Sequence, residues 1–366
     1  MAGNELDELR GAIREFLEVT SSSDTVRKLM ATERGYDDAT WRQMAGELGL
    51  HGIAVPEEWG GAGAGMTELA VVFEELGAAL VCAPFFSTVA LAVQSILASG
   101  DRAAMEEFIP GLVDGSSTAT LVLNGHLDAW DPDAVTLTTR QEAGGLRVYG
   151  EAPLVLDGHT ADVILVATKG ETGVSLLAVR AEADGLQREL LASLDRTRKV
   201  ARVRFVGAPA RLIGVEGEAA DGLARASDLA IVALAAEQVG AAQRCLDMAV
   251  AYAKDRIQFG RPIGSFQAIK HRCADMLMLV EGARSAAMHA AQVSDTDELP
   301  IAASVAKLAC SDAFLHVALD NMRIHGGIGF TWEHDAHLYV RRAKASQLIF
   351  GTPDYHAQRL AELVST

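Results

Sequence analysis

Apolar positions between residue 1 and about residue 115 recur at helical spacing. "MAGNELDELRGAIREFLEV" reads as an acidic amphipathic helix and "DDATWRQMAGELGLHGI" as one further amphipathic piece. "VPEEWGGAGAGMT" reads as a loop, after which "TELAVVFEELGAAL" restarts a helix with Thr67 as N-cap and Gly77 near its end. From about 116 to 210 the period shortens. "STATLVLNG", "AVTLTT", "LRVYG", "DVILVAT", "VSLLAV" and "ARVRFV" are rich in β-branched residues and bounded by Gly, Asp or Asn, as strands of a sandwich or barrel are. "LRVYGEAPLVLDG" reads as two strands with a bend at Pro153. From about 216 the helical period returns. A long helix carries Leu229, Val232, Ala236, Val239 and Leu246 on one face. A second begins near Ser265 and buries Phe266, Ile269, Cys273, Met276 and Val280. A third opens at Pro300 and closes at Gly326-Gly327, a fourth covers about 333–350, and a short fifth starts at Thr352-Pro353-Asp354. Long helices joined by modest loops predict a bundle. The expected organisation is α+β: an N-terminal helical domain over 1–115, a β-sandwich or barrel over 116–215, and a four-helix-bundle domain over 216–366.

Composition narrows the function classes. A chain of 366 residues, 49% hydrophobic, has ample material for a large core. A net charge of −17 argues against a nucleic-acid partner, because binding phosphates along a duplex needs a basic face. No uninterrupted apolar run approaches the ~20 residues of a membrane span, and the N-terminus lacks the basic-then-apolar layout of a signal peptide. The expected location is therefore the cytoplasm. Cys82, Cys245, Cys273 and Cys310 are scattered singly, without metal-ligand spacing, and read as free buried thiols with no metal site.

Against that acidic background, "DRIQFGRPIGSFQAIKH" gathers Arg256, Arg261, Lys270 and His271 between two predicted helices. One reading is a plain helix-to-helix turn, with Phe259 plugging the core and Gly260 allowing the bend. The other is an anion site: Arg256 offers a planar fork of donors suited to a pyrophosphate, and Phe259 an aromatic face for an adenine. Backbone N–H groups near Ser265, Phe266 and Gln267 open the next helix and add its dipole. "RIHGGIGFTWEHD" admits two readings as well, a helix stop or bare backbone against which a nucleotide can lie.

Taken together and in order, these stretches resemble the acyl-CoA dehydrogenase family. "LGLHGIAVPEEWGGAGAGMTELAVVFEELG" is similar to the family's N-terminal signature, "YAKDRIQFGRPIGSFQAIKHRCADM" to its Arg-x-x-Phe-Gly…Gln motif, and "RIHGGIGFTWEHDAHLYVRRAK" to its Gly-Gly-x-Gly-Phe segment. The resemblance implies FAD as cofactor. It also implies that Arg256, Phe259, Gln267, Gly326 and Gly327 hold the pyrophosphate and adenosine of a flavin bound mainly by a neighbouring subunit. Arg323, where Gln is common in the family, joins the cofactor-binding set.

Family chemistry is α,β-dehydrogenation of an acyl-CoA, in which a carboxylate takes the Cα proton. At the positions that resemblance assigns to the base this chain carries Phe350 (or Gly351) and Ala230, none of which accepts a proton. Asp354 and Glu237 are the remaining nearby carboxylates. Asp354 also reads as a charge complementing a helix N-terminus, and Glu237 lies about two turns beyond Ala230. In the β region "VLNGHLDAWDPDA" and "APLVLDG" lack the hydroxyl and Gly-rich donors that wrap a flavin ring in family members, and Leu154 stands where they carry Trp. Features serving the chain's own flavin are lost, while those reaching a neighbour's are kept. The expectation is a subunit of a heteromeric (α2β2) FAD-dependent acyl-CoA dehydrogenase, active with a catalytic sister chain and an electron-transfer acceptor, on an acyl-CoA of the steroid side-chain type. The alternatives are a homo-oligomeric enzyme with a relocated base, and an acyl-binding or interaction scaffold without flavin.

Overall fold

The computed structural model describes residues 2–124 and 127–365. In chain order, α1 (Ala2–Thr20), α2 (Ser23–Ala31), α3 (Asp38–Gly46) and α4 (Met66–Ala78) are followed by an apolar stretch wound as a π-helix over Phe86–Val93. That stretch continues into α5 (Gln94–Ala98), and then come α6 (Arg102–Val113), β1 (Ala119–Val122), β2 (Thr138–Glu142), β3 (Gly145–Leu156) and β4 (Val163–Lys169). β5 (Val174–Arg180), β6 (Leu186–Leu190), β7 (Val200–Pro209) and β8 (Arg211–Ile213) precede the long α7 (Ala220–Asp255). β9 (Ile257–Gln258) and β10 (Arg261–Pro262) then lead to α8 (Gln267–Gln292), α9 (Leu299–His325), α10 (Ala336–Leu348) and α11 (Pro353–Leu363). Helices flank a strand-rich middle, the α+β arrangement expected.

Two compact units divide the chain. One comprises Arg27–Gly65 and Cys82–Ala230 and holds two four-stranded sheets, ordered β1-β4-β5-β8 and β2-β3-β7-β6. All pairings are antiparallel except β1 with β4. Alternate residues of β3, β4, β5 and β7, among them Val148, Ile164, Val179 and Phe205, share one core, as the period-2 pattern of a sandwich requires. The two strands expected around Pro153 are one strand. Between the pairs Ala152↔Val203 and Val155↔Ala201, two residues of β3 oppose one of β7, so Pro153 sits in a bulge where its missing N–H breaks no ladder. Two expected elements also differ. The amphipathic piece around Trp41 stops at Gly46, and Gly49 (φ 63°) redirects the chain into a short 3₁₀ turn at Leu50–Gly52. Thr67 lies inside the first turn of α4, not at its cap. Of the stretch "VLNGHLDAWDPDA", Gly125 and His126 lie outside the described residues.

Within this unit His51 is fully buried. Its ring lies 3.9 Å from that of Trp41 and 5.5 Å from that of Phe85, and burial pushes its pKa down to about 3. An unfolded chain titrates this histidine near ~6.5. The stability of the neutral form is therefore present above that pH and lost as pH falls toward 3, to a limit of roughly 4–5 kcal/mol. The expected result is a denaturation midpoint that drops steeply through this window, and a shallower drop for His51→Leu. Parallel pH profiles would show that His51 does not carry the effect.

The second unit comprises the chain up to Val26, Met66–Val81, and Ile231 onward. α4 crosses α7 at two glycines: a Cβ at Gly77 would collide with the Glu237 carbonyl, and one at Gly240 with that of Glu74. Arg10 and Arg14 of α1 and Arg284 of α8 converge on the buried Glu74 and Glu75 beside a cavity of about 850 Å³. Each carboxylate is thereby paired, as burial demands. In α8, Met276 and Val280 are buried as expected, but Phe266, Ile269 and Cys273 are only half-buried. α10 ends at Leu348, short of the expected 350, because Phe350 (φ 58°) and Gly351 (φ 95°) both leave helical space.

Two helices, Ala220–Asp255 and Leu299–Phe330, are long and apolar enough to cross a membrane by length and composition. Counting uninterrupted apolar runs missed them because each tolerates isolated charges such as Lys307. Their most apolar windows are 89% and 61% buried inside the fold, which marks them as core helices. All four cysteines are free, and three of them, Cys82, Cys245 and Cys310, are buried.

Candidate functional site

α7 ends at Asp255, and the chain reverses through the two-residue ribbon β9–β10. Its corner residues Phe259 (φ 51°) and Gly260 (φ 73°) both take left-handed backbone, the combination a tight hairpin needs to match strand twist. The corner carries Phe259 out into solvent at 91% exposure, which overturns the core-plug reading. The nearest ring, Phe266, meets it edge-on at 6.1 Å. Arg256 is exposed at the ribbon's base, and its backbone N–H and C=O bond to Tyr252 and Ile263. No side-chain partner holds its guanidinium among the described residues. Gln267 is exposed at the first position of α8.

At the end of α9, Gly326 (φ 64°) turns the chain into a 3₁₀ segment, Gly326–Phe330. A Cβ at Gly326 or Gly327 would meet nothing within 4 Å, so the backbone there is open. Two contacts draw this turn to the same bundle end as the hairpin. Tyr252 in the last turn of α7 stacks on His325 at 4.4 Å between centroids, and Asp320 holds both Arg272 of α8 (3.1 Å) and Arg323 (2.9 Å). His325 is kept neutral, because burial lowers its pKa. The structure therefore assembles Arg256, Phe259, Gln267, Arg323, Gly326 and Gly327 at one end. Reading motifs singly missed the fastening residues Tyr252, Arg272 and Asp320; Asp320 was legible from its helical spacing to His316 and Arg323. Arg261, named with the basic cluster of the connector, packs its guanidinium 4.1 Å from the centre of the Phe266 ring.

The positions matched to a base are arranged differently. Phe350 is buried, and His356 Nε2 lies 2.8 Å from its carbonyl. Gly351 leaves no room for a side chain: a Cβ would come within 2.6 Å of Tyr355. Thr352 caps α11 by accepting from the Tyr355 N–H, and Asp354 is exposed in that helix's first turn. Ala230 is buried in α7. Glu237, buried on the same helix, is bound at 2.8 Å to Arg342 of α10, itself buried. Leu154, where family members carry Trp, is 40% exposed on β3.

Two four-stranded sheets follow one run of helices and precede another along the chain, and comparison with known proteins names the class this order belongs to. Residues 229–364 match the model of the acyl-CoA dehydrogenase C-terminal domain and residues 3–116 that of the N-terminal domain. Over 354 residues the sequence is 37% identical to acyl-CoA dehydrogenase IpdE2 of Mycolicibacterium smegmatis, spanning 96% of each chain. The chain belongs to the acyl-CoA dehydrogenase family, oxidoreductases built around a flavin. Among solved structures, a variant of the Tcur3481-Tcur3483 steroid ACAD is similar throughout, at TM-score 0.88 and 31% identity over 100% of this chain and 99% of that one. The ChsE4-ChsE5 complex from Mycobacterium tuberculosis is similar at TM-score 0.88 and 27% identity, over 98% and 97% of the two chains.

Proposed function

We propose that this chain is the flavin-clamping, base-lacking subunit of a heteromeric acyl-CoA dehydrogenase. The observation that carries the reading is the contrast between two places in one unit. An exposed guanidinium without a partner among the described residues, Arg256, stands beside a projecting ring and open glycine backbone, while the turn matched to the base buries a phenyl group at position 350.

The exposed fork of Arg256 fits a diphosphate, the Phe259 ring fits an adenine face, and the open backbone at Gly326 and Gly327, where a side chain would meet nothing, leaves space for a phosphate or ribose edge. Gln267 and Arg323 flank them. FAD supplies a hydride acceptor when bound; this chain's residues would grip the distant, anionic end of a sister subunit's flavin. Glu237 is committed to Arg342 and Asp354 complements a helix dipole, so neither is free to serve as a base. A heteromeric assembly, α2β2 in this proposal, draws support from solved relatives whose descriptions pair two proteins, one of them described as a steroid ACAD. The substrate class proposed is accordingly a bulky acyl-CoA of the steroid side-chain type, with a cytoplasmic location and an external electron acceptor.

Absorbance spectra test the reading. Produced without a partner, the chain should be colourless; co-produced with a catalytic dehydrogenase chain, the complex should show flavin absorbance and turnover. A yellow, active protein made from this chain by itself would instead establish a relocated base. Flavin missing from every complex would establish a scaffold.

A further inference from the structure

Lys307 is fully buried on α9. Its Nζ lies 3.1 Å from Ser311 Oγ, 3.0 Å from the Ser346 carbonyl and 3.2 Å from that of Gln347. An ammonium has three protons to donate, and each finds an acceptor. Two of the acceptors are last-turn carbonyls of α10, which the helix itself leaves without N–H partners. Burial pulls the amine's pKa down to about 7, opposed in part by the neighbouring Cys310 and Asp312. Ser311 ties the group onward to Gln238 of α7 at 3.2 Å.

Immediately beyond the capped carbonyls the backbone does something costly. Ile349 is extended, and Phe350 then takes φ 58°, a region that disfavours any residue with a Cβ. His356 secures the far side. Its Nε2 faces the Phe350 carbonyl, which only accepts, so that nitrogen carries the proton. The turn is thus pinned on both flanks, by Lys307 before it and His356 after it.

We propose that Lys307 is the positioning residue of this turn: by capping the carbonyl end of α10 it fixes the strained backbone that presents position 350. The inference rests on reading position 350 as the place a family base occupies. It assigns Lys307 the fixing of this turn, which holds its left-handed backbone with a phenyl group in it.

The test uses the full chain within its complex. In Lys307→Met, amide exchange over 349–356 should quicken about tenfold more than in the remainder of α9 and α10. Phe314→Leu, a core change on α9, should quicken exchange without that local excess. The specific readout is a coupling. In the parent, Phe350→Gly trades a buried ring for relief of left-handed strain. With Lys307→Met the turn has already relaxed, so the effect of Phe350→Gly on the unfolding constant should differ by about fivefold to tenfold between backgrounds. Additive effects, or exchange that quickens evenly, would overturn the assignment. If Lys307→Met does not fold, Ser311→Ala removes one of the three acceptors and must show the same local excess. Lys307→Met should leave flavin content unchanged, so a failure here is separable from a failure of the clamp.

Discussion

Arg342→Met should destabilise the helical unit by about 3–5 kcal/mol, because it removes the cation paired with the buried carboxylate of Glu237. The two side chains are 3% and 6% exposed and meet at 2.8 Å. Neither can turn to solvent: α7 is pressed against α4 at Gly77, where the Glu237 backbone itself forms the contact. The double variant Glu237→Leu with Arg342→Met, which replaces the pair by apolar groups of similar volume, should recover most of the loss. Denaturant titration followed by far-UV circular dichroism reads both. A loss below about 1 kcal/mol for Arg342→Met would place the pair in the class of weak, solvated ion pairs, and would return Glu237 to candidacy as a base.

Much of this was legible in the sequence, for reasons that differ by element. Helical spacing gave the bundle helices, since their buried faces are long and Ala-rich, and Pro300 and Gly326 bracket α9 at its real ends. Short β-branched segments bounded by Gly, Asp or Asn gave the strands, since β1, β4 and β5 are buried on both faces. Boundaries were lost wherever backbone conformation outweighed side-chain pattern, as at Gly49, at the bulge around Pro153 and at the left-handed Phe350. The residues of the proposed clamp were legible as motifs, whereas their convergence was not: Tyr252 on His325 and Arg272 on Asp320 are long-range contacts without local spacing. The pairing of Glu237 was hidden for the same reason, Arg342 lying 105 residues away. Lys307 gave no signal, because a lysine in an apolar helix reads as a surface residue until the carbonyls facing it are seen.

The second large effect concerns the clamp. A guanidinium on a diphosphate forms charge-assisted hydrogen bonds of about 1.5–3 kcal/mol. Arg256→Ala should therefore weaken flavin retention by the complex about tenfold to a hundredfold. Arg256→Lys should recover part of this, since an ammonium supplies the charge without the planar fork. Arg202→Ala is a suitable control, because that arginine lies in surface ion pairs of the sheet unit with Glu189 and Glu151.

The most direct measurement is the flavin content of the purified two-chain complex, by absorbance after dialysis, with Arg256→Ala placed in this chain and the partner left unchanged. A guanidinium that grips its neighbour's dinucleotide predicts a colour that fades on dialysis while the complex stays assembled. An equally yellow complex after dialysis would contradict the account.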